Sequence, residues 1–364
     1  MLVVQAAVLH QLSAMGAMPE LPFVIMPANR SAPAVRWHGE LSWGVAAAKS
    51  DDTADPTPYH AFVDVVAGGC GLGSWATNSE VWHAVSASPQ GPFQRKERVL
   101  PTFASNPQLT RAPDGTYLLF TIGAELSAGQ TQNCTPGATR PAPSRYAGNA
   151  TNLHTSKSLN GPWVRVRGSH GSPVLLAGFT NPTAHVLSNG TVVVLGIPQG
   201  CCTCDDGGCL HAATAPTWAG PYTIHAARGL FGWPNQGGHQ PNDRDFVFED
   251  PFLWWSPDRR RWNLLVHQYN QTDPSHQWRD GGYAVSQSED LWGGWDWGGW
   301  QAPAYTARVD YTDGTADSMI RRERPFLLFD AGVPTTLFTA VCPPGDTTNA
   351  HCYSIANQLA TPVA

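Results

Sequence analysis

Charge is scarce in this sequence. Only 14% of its 364 residues are Asp, Glu, Lys or Arg, and 22 basic side chains face 28 acidic ones, for a formal net charge of −6. That balance argues against nucleic acid as a partner, because phosphate neutralisation requires a basic face. The densest basic cluster, Arg259-Arg260-Arg261, sits beside Ser256-Pro257-Asp258 and reads as a solvated turn. Long apolar runs are also missing: no stretch after the N-terminus approaches the ~18 to 20 residues that would span a bilayer, so no membrane partner is expected. No Ser-His-Asp order, phosphate-binding glycine loop or zinc-type histidine pair is present, which removes support for nucleophilic-serine, nucleotide and metallohydrolase chemistry. No cofactor and no metal site are assigned.

Turn formers are abundant instead. With 36 glycines and 31 prolines, and no long helical periodicity after the first twenty residues, the chain reads as all-β with many short strands. Residues 1–18 are mostly apolar but lack a positive n-region, so residues 1–30 read as a leader or signal-like segment, or as a frayed N-terminal helix. Residues 31–364 read as a single domain.

The eight cysteines and the sequons at Asn29, Asn133, Asn149, Asn189 and Asn270 point to an oxidising secretory route, hence an extracellular or lumenal disulfide-bonded glycoprotein. Cys342 and Cys352 bracket a Pro-Pro-Gly-Asp turn and are the first expected bridge. The cluster Cys201, Cys202, Cys204 and Cys209 offers four soft ligands. It lacks a Cys-x-x-Cys pair followed by a second pair, so structural disulfides are favoured over zinc.

A repeat organises the rest. Asn106-Pro107, Asn181-Pro182, Asp250-Pro251 and Arg324-Pro325 each open a hairpin, and their prolines are separated by 75, 69 and 74 residues. A degenerate fifth copy begins near Ser42-Trp43-Gly44. Further strands follow at His83-Ala84-Val85-Ser86, His154-Thr155-Ser156, His211-Ala212-Ala213-Thr214 and Tyr283-Ala284-Val285-Ser286, three of them leading into Gly-Pro-aromatic turns. A unit of four strands cannot bury both faces alone, whereas radial stacking of such units does so. The expected fold is therefore a five-bladed β-propeller of four-stranded antiparallel blades. Its inner strands would bring Asn106, Asn181, Asp250 and Glu323 to one central funnel. Insertions at 124–150 and 231–245, the latter with Trp233, would shape its rim.

The Asn/Asp-Pro hairpins, Phe248-Glu249-Asp250-Pro251-Phe252 and Arg322-Glu323-Arg324-Pro325 resemble the five-bladed propeller superfamily of arabinanases, levansucrases and invertases, in particular proteins like glycoside hydrolase family 43. The resemblance covers about residues 31–364. It implies a funnel with an Asp base, an Asp that orients and tunes, and a Glu acid, because glycoside cleavage protonates the leaving oxygen and activates water or attacks directly. Asp250 matches the tuning Asp and Glu323 the acid. Arg322 and Arg324 flank that Glu and would lower its pKa on contact, so burial is required to keep it an acid. The base position falls at Asn106, an amide that cannot accept a proton at neutral pH. Either Asp64, Glu80, Glu249 or Asp51 takes that role, or the protein binds carbohydrate without cleaving it. The expected function is a glycosidase of the arabinan- or fructan-active type, with a non-catalytic carbohydrate-binding propeller as the alternative and a protein-interaction scaffold less favoured.

Among the expected substrate contacts are Asn106, Asn181, Arg324, His267, Trp254 and Trp233. For each the plainer reading is structural: most tryptophans pack between blades, Asn at a strand entrance bonds backbone, and a buried His is usually satisfied. The run from Trp292 to Trp300 reads as a glycine-rich outer turn.

Overall fold

The computed structural model describes residues 19–123, 131–134, 150–172, 174–198, 210–230, 246–270, 280–297 and 302–361. Five antiparallel sheets follow one another along the chain. Blade I holds Leu41–Lys49, Tyr59–Val66, Ser79–Ser86 and Gln94–Leu100. Blade II holds Ser105–Arg111, Tyr117–Ile122 and Ala150–Ser156, edged by Val164–Val166 and Leu176–Ala177. Phe179–Val186, Val192–Pro198, His211–Ala215 and Thr223–Gly229 form blade III. Blade IV holds Phe246–Ser256, Arg261–Asn270, Asp280–Ser286 and Trp295–Trp297.

Blade V is made from both ends of the described chain. Arg321–Asp330, Val333–Cys342 and Tyr353–Ala360 supply its inner strands, and Val24–Ile25 pairs antiparallel with Tyr353–Ala360 as the outer edge. That edge strand falls in the segment expected as a leader, and it ties the N-terminal side of the chain to the last blade. The first strand of each blade touches the first strand of the next, and Arg321–Asp330 returns to Leu41–Lys49, so the ring closes. The expected five-bladed, four-stranded propeller is the fold observed.

Packing follows from strand alternation. Both faces of each blade are apolar where they meet a neighbour, so the cores lie between blades. One core joins Val45, Ala61 and Val63 of blade I to Phe252, Trp254 and Leu265 of blade IV and Phe326 and Phe338 of blade V. Smaller cores join blades III and IV, II and III, and I and II. Disulfides link Cys342 to Cys352, as expected from the sequence, and Cys70 to Cys134. The Cys201–Cys209 cluster lies outside the described residues. Asn29 and Asn189 are exposed. Among the described residues, no helix is long and apolar enough to cross a membrane.

Candidate active site

One backbone device is repeated at the head of every inner strand. Between Ser42 and Val45, Ser105 and Gln108, Thr180 and Thr183, Glu249 and Phe252, and Glu323 and Phe326, the inner strand advances by one residue more than its partner. Each is a β-bulge, which bends the strand and re-aims its side chains. In four blades the bulged residue precedes proline and has positive φ: Asn106 56°, Asn181 48°, Asp250 50° and Arg324 58°. Asn and Asp tolerate this conformation, whereas a long side chain there is uncommon. In blade I, Gly44 has φ 103°, and the stem of Arg324 lies against it.

The bulges settle which residues are equivalent. Arg324, not Glu323, occupies the position of Asp250, Asn181 and Asn106; Glu323 is one residue earlier, in register with Glu249. Four blades then meet through their bulge side chains. The Arg324 guanidinium donates to Asp250 Oδ1 at 2.7 Å, and the Asn106 amide donates to Asn181 Oδ1 at 3.1 Å and to Asp250 Oδ1 at 3.4 Å. Bulging also overrides the alternation that would send neighbours to opposite faces. Glu249, Asp250 and His267 offer ligand atoms within 4.8 Å of one another, and of the described residues these are the ones that could hold a metal ion.

Glu323 is 4% exposed. Arg321 donates to its Oε1 at 2.9 Å. Burial pushes the Glu323 carboxyl up to about 8, and the Asp250 and Glu249 charges add to the rise, against the pull of Arg321 and Arg324. It therefore holds its proton at neutral pH. Burial also raises Asp250, opposed by the Arg324 guanidinium and the Asn106 amide. His267 is fully buried near Glu249, at 4.0 Å, and burial holds its imidazole well below its ordinary value. Glu249 keeps 30% of its side chain exposed.

The expected flanking pair Arg322 and Arg324 is corrected in one member. Arg322 turns away from Glu323 and bonds Thr339, Asn357 and the carbonyls of Thr306 and Arg308. Arg321 makes the contact instead, because residues two apart share a strand face. That signal was present in the sequence. The Tyr305 ring lies against Gly281; no motif marked it, since it lies in the crossing between blades IV and V.

Among the other candidates, Trp254 is 4% exposed and packs with Phe252 and Tyr283 in the interblade core, so its ring is not presented to a sugar. Trp233 lies outside the described residues. Asp64 is fully buried; it accepts the Ser105 hydroxyl at 2.6 Å and the Asn106 backbone N–H at 2.9 Å. Burial raises its carboxyl to about 6. Asp64 thus braces the blade II bulge from blade I. Glu80 accepts from Trp82 and Arg98. Asp51 pairs with Arg111 beyond the opposite end of the blade I inner strand.

At the level of sequence, no protein-family model and no characterised protein matches the chain. Solved structures do. The catalytic domain of a family 62 α-L-arabinofuranosidase from Coprinopsis cinerea superimposes with a TM-score of 0.58 at 13% identity, over 93% of this chain and 98% of that one. The chain shares the five-bladed propeller fold of these glycoside hydrolases. A protein of unknown function from Dyadobacter fermentans gives 0.55 at 10% identity, over 94% of this chain and 100% of that one. The xylan β-1,4-xylosidase of Bacillus halodurans gives 0.51 at 12% identity, covering 91% of this chain and 54% of its own length.

Proposed function

We propose that the protein is a glycoside hydrolase acting on arabinan- or fructan-type carbohydrate in the propeller funnel, with Glu323 as general acid. The observation that carries this reading is the buried Glu323 at the head of one inner strand, its carboxyl raised by burial to about 8, next to the Asp250–Arg324 pair that joins blades IV and V. A carboxyl with a raised pKa can protonate a leaving glycosidic oxygen near neutral pH. Asp250, fixed by Arg324, holds the electrostatic setting that keeps the proton on Glu323. Asn106 and Asn181 supply amides toward substrate hydroxyls. Glu249, reached by solvent, is the carboxylate available to activate water. The disulfides and exposed sequons support an extracellular or lumenal site of action.

A second reading rests on Asn106. Its amide falls where the resemblance puts the base and is bonded to Asp250 and Asn181, which favours a propeller that binds carbohydrate without turnover. Aryl α-L-arabinofuranosides, β-xylosides and β-fructofuranosides, assayed with wild type and Glu323→Gln, separate the two. Turnover lost in the variant supports the hydrolase. Sugar binding without turnover in the wild type would leave only the binder.

A further inference from the structure

Three arginines neighbour Glu323 in the sequence, and they are not alike. Arg321 pairs with Glu323 and Arg324 with Asp250. Arg322 is 3% exposed and has no ion pair among the described residues. Its partners are all neutral: Nε donates to Thr339 Oγ1 at 3.2 Å, Nη1 to the carbonyls of Thr306 and Arg308 at 3.0 and 3.2 Å, and Nη2 to Asn357 Oδ1 at 2.9 Å. The guanidinium also lies 4.7 Å over the Tyr305 ring. A guanidinium carries five N–H donors, so one on Nη2 is left over. Burial without a counter-charge brings the group down to about 10, the direction expected of an uncompensated buried cation.

A cavity of about 190 Å³ lies against this cation, lined by Ile25, Met26, Tyr305, Arg308, Arg322 and Asn357 among others. That is far above the roughly 10–15 Å³ a single water needs. Its walls come from the N-terminal edge strand, the crossing between blades IV and V, and blade V itself. Met26 and Arg308 are exposed, so the cavity reaches the surface. The nearby charges do not neutralise Arg322. Asp310 on the rim is already paired with Arg308 at 2.7 Å, and Asp280 acts on Arg322 only through space. Tyr305, also on the wall, has a buried hydroxyl with no hydrogen-bond partner.

We infer that this cavity is a carboxylate-binding site, separate from the funnel, in which the ligand's carboxylate is the counter-ion that buried Arg322 lacks. The carboxylate belongs either to a small free organic acid or to an acidic sugar unit, and both present the same charged oxygen acceptor to the remaining Nη2 N–H of the guanidinium. The site stands apart from the funnel chemistry and holds whether or not Glu323 turns over substrate.

Isothermal titration of the wild type with sodium acetate and with sodium glucuronate, at constant ionic strength, is expected to give saturable binding of at least one. Asn357→Asp places a counter-charge next to Nη2. It is expected to weaken that binding at least ten-fold, while giving up the Asn357 Nδ2 donation to the Met26 carbonyl at 2.8 Å. Equal affinity for the two probes assigns the site to free acids; tighter glucuronate assigns it to an acidic sugar. Wild-type crystals soaked in the tighter probe are expected to show its carboxylate against Arg322, a result that does not depend on the variant folding. No saturable binding, density in the funnel alone, or unchanged affinity in Asn357→Asp would overturn the inference.

Discussion

At the inner-strand bulge, blades I, II and III carry Trp43-Gly44, Asn106-Pro107 and Asn181-Pro182, whereas blades IV and V carry Asp250-Pro251 and Arg324-Pro325, preceded by Glu249 and Glu323. The backbone solution is shared and the charge is not. Every blade uses the extra residue to turn a side chain or a glycine toward the axis. Only the last two place ionisable groups there. Acid chemistry is therefore concentrated on one side of the ring, and the opposite side presents amides and a glycine. The bulge is a mount, and what it can do is decided by the residue placed on it.

The largest expected effect comes from removing the acid side of the comparison. Glu323→Gln keeps the shape and removes the proton, and is expected to lower kcat by roughly 10² to 10⁴, the usual range for general acid–base catalysis. Steady-state hydrolysis of an aryl glycoside measures it, and a rate within a factor of three of wild type would rule Glu323 out as the acid. Arg324→Met comes next. It leaves Asp250 buried without its cation and is expected to destabilise the fold by about 3 kcal/mol, read from urea denaturation. A loss below half that value would show that the bulges in blades II and III hold the ring without the ion pair.

A third test uses pH. The folded chain holds the Glu323 proton up to about pH 8, whereas the unfolded chain releases it near the ordinary glutamate value of 4.5. The folded state thus binds more protons over this window, so its stability falls as pH rises. Asp64 acts with the same sign, up to about pH 6. His83, His154 and His185, held by burial at about 3, 4 and 4, act with the opposite sign, because protonating them on acidification costs stability. His60 and His267, also lowered by burial, act with them, and all five act alike in the wild type and in Glu323→Gln. The stability of the wild type relative to Glu323→Gln is therefore expected to fall by about 2 kcal/mol between pH 6.5 and 8. A relative stability that does not change with pH would place the titrating group elsewhere.

The smallest expected effect would blur the contrast itself. Asn106→Asp puts a carboxylate on blade II beside Asp250 and is expected to raise turnover about ten-fold, equal to about 1.4 kcal/mol in the barrier. Unchanged turnover, combined with loss of activity in Glu249→Gln, would assign water activation to Glu249.

Much of this was legible beforehand. The spacing of Pro107, Pro182, Pro251 and Pro325 marks the blades, because each begins with the same strained entrance. Cys342 and Cys352 could be paired from the turn between them. Trp254 was harder. An aromatic beside an acidic strand entrance fits a sugar platform or a core equally well, and only its packing on Phe252 and Tyr283 decides. Counting back from the prolines already aligns Arg324 with Asp250, because every blade carries the same one-residue bulge; what the sequence could not show is that Arg324 reaches Asp250.

What the sequence determined by itself is the architecture: turn-rich composition, a repeated hairpin and a shortage of charge permit little besides stacked antiparallel blades. The tertiary structure decided which side chains share an environment. Arg324 meets Asp250 across 74 positions, Asn106 meets Asn181 across 75, and Arg322 is buried among neutral hydrogen-bond acceptors facing a cavity. Those outcomes depend on ring closure and on local burial, and burial is a property of everything packed around a group. That is why a carboxyl flanked by arginines in the sequence ends up holding its proton.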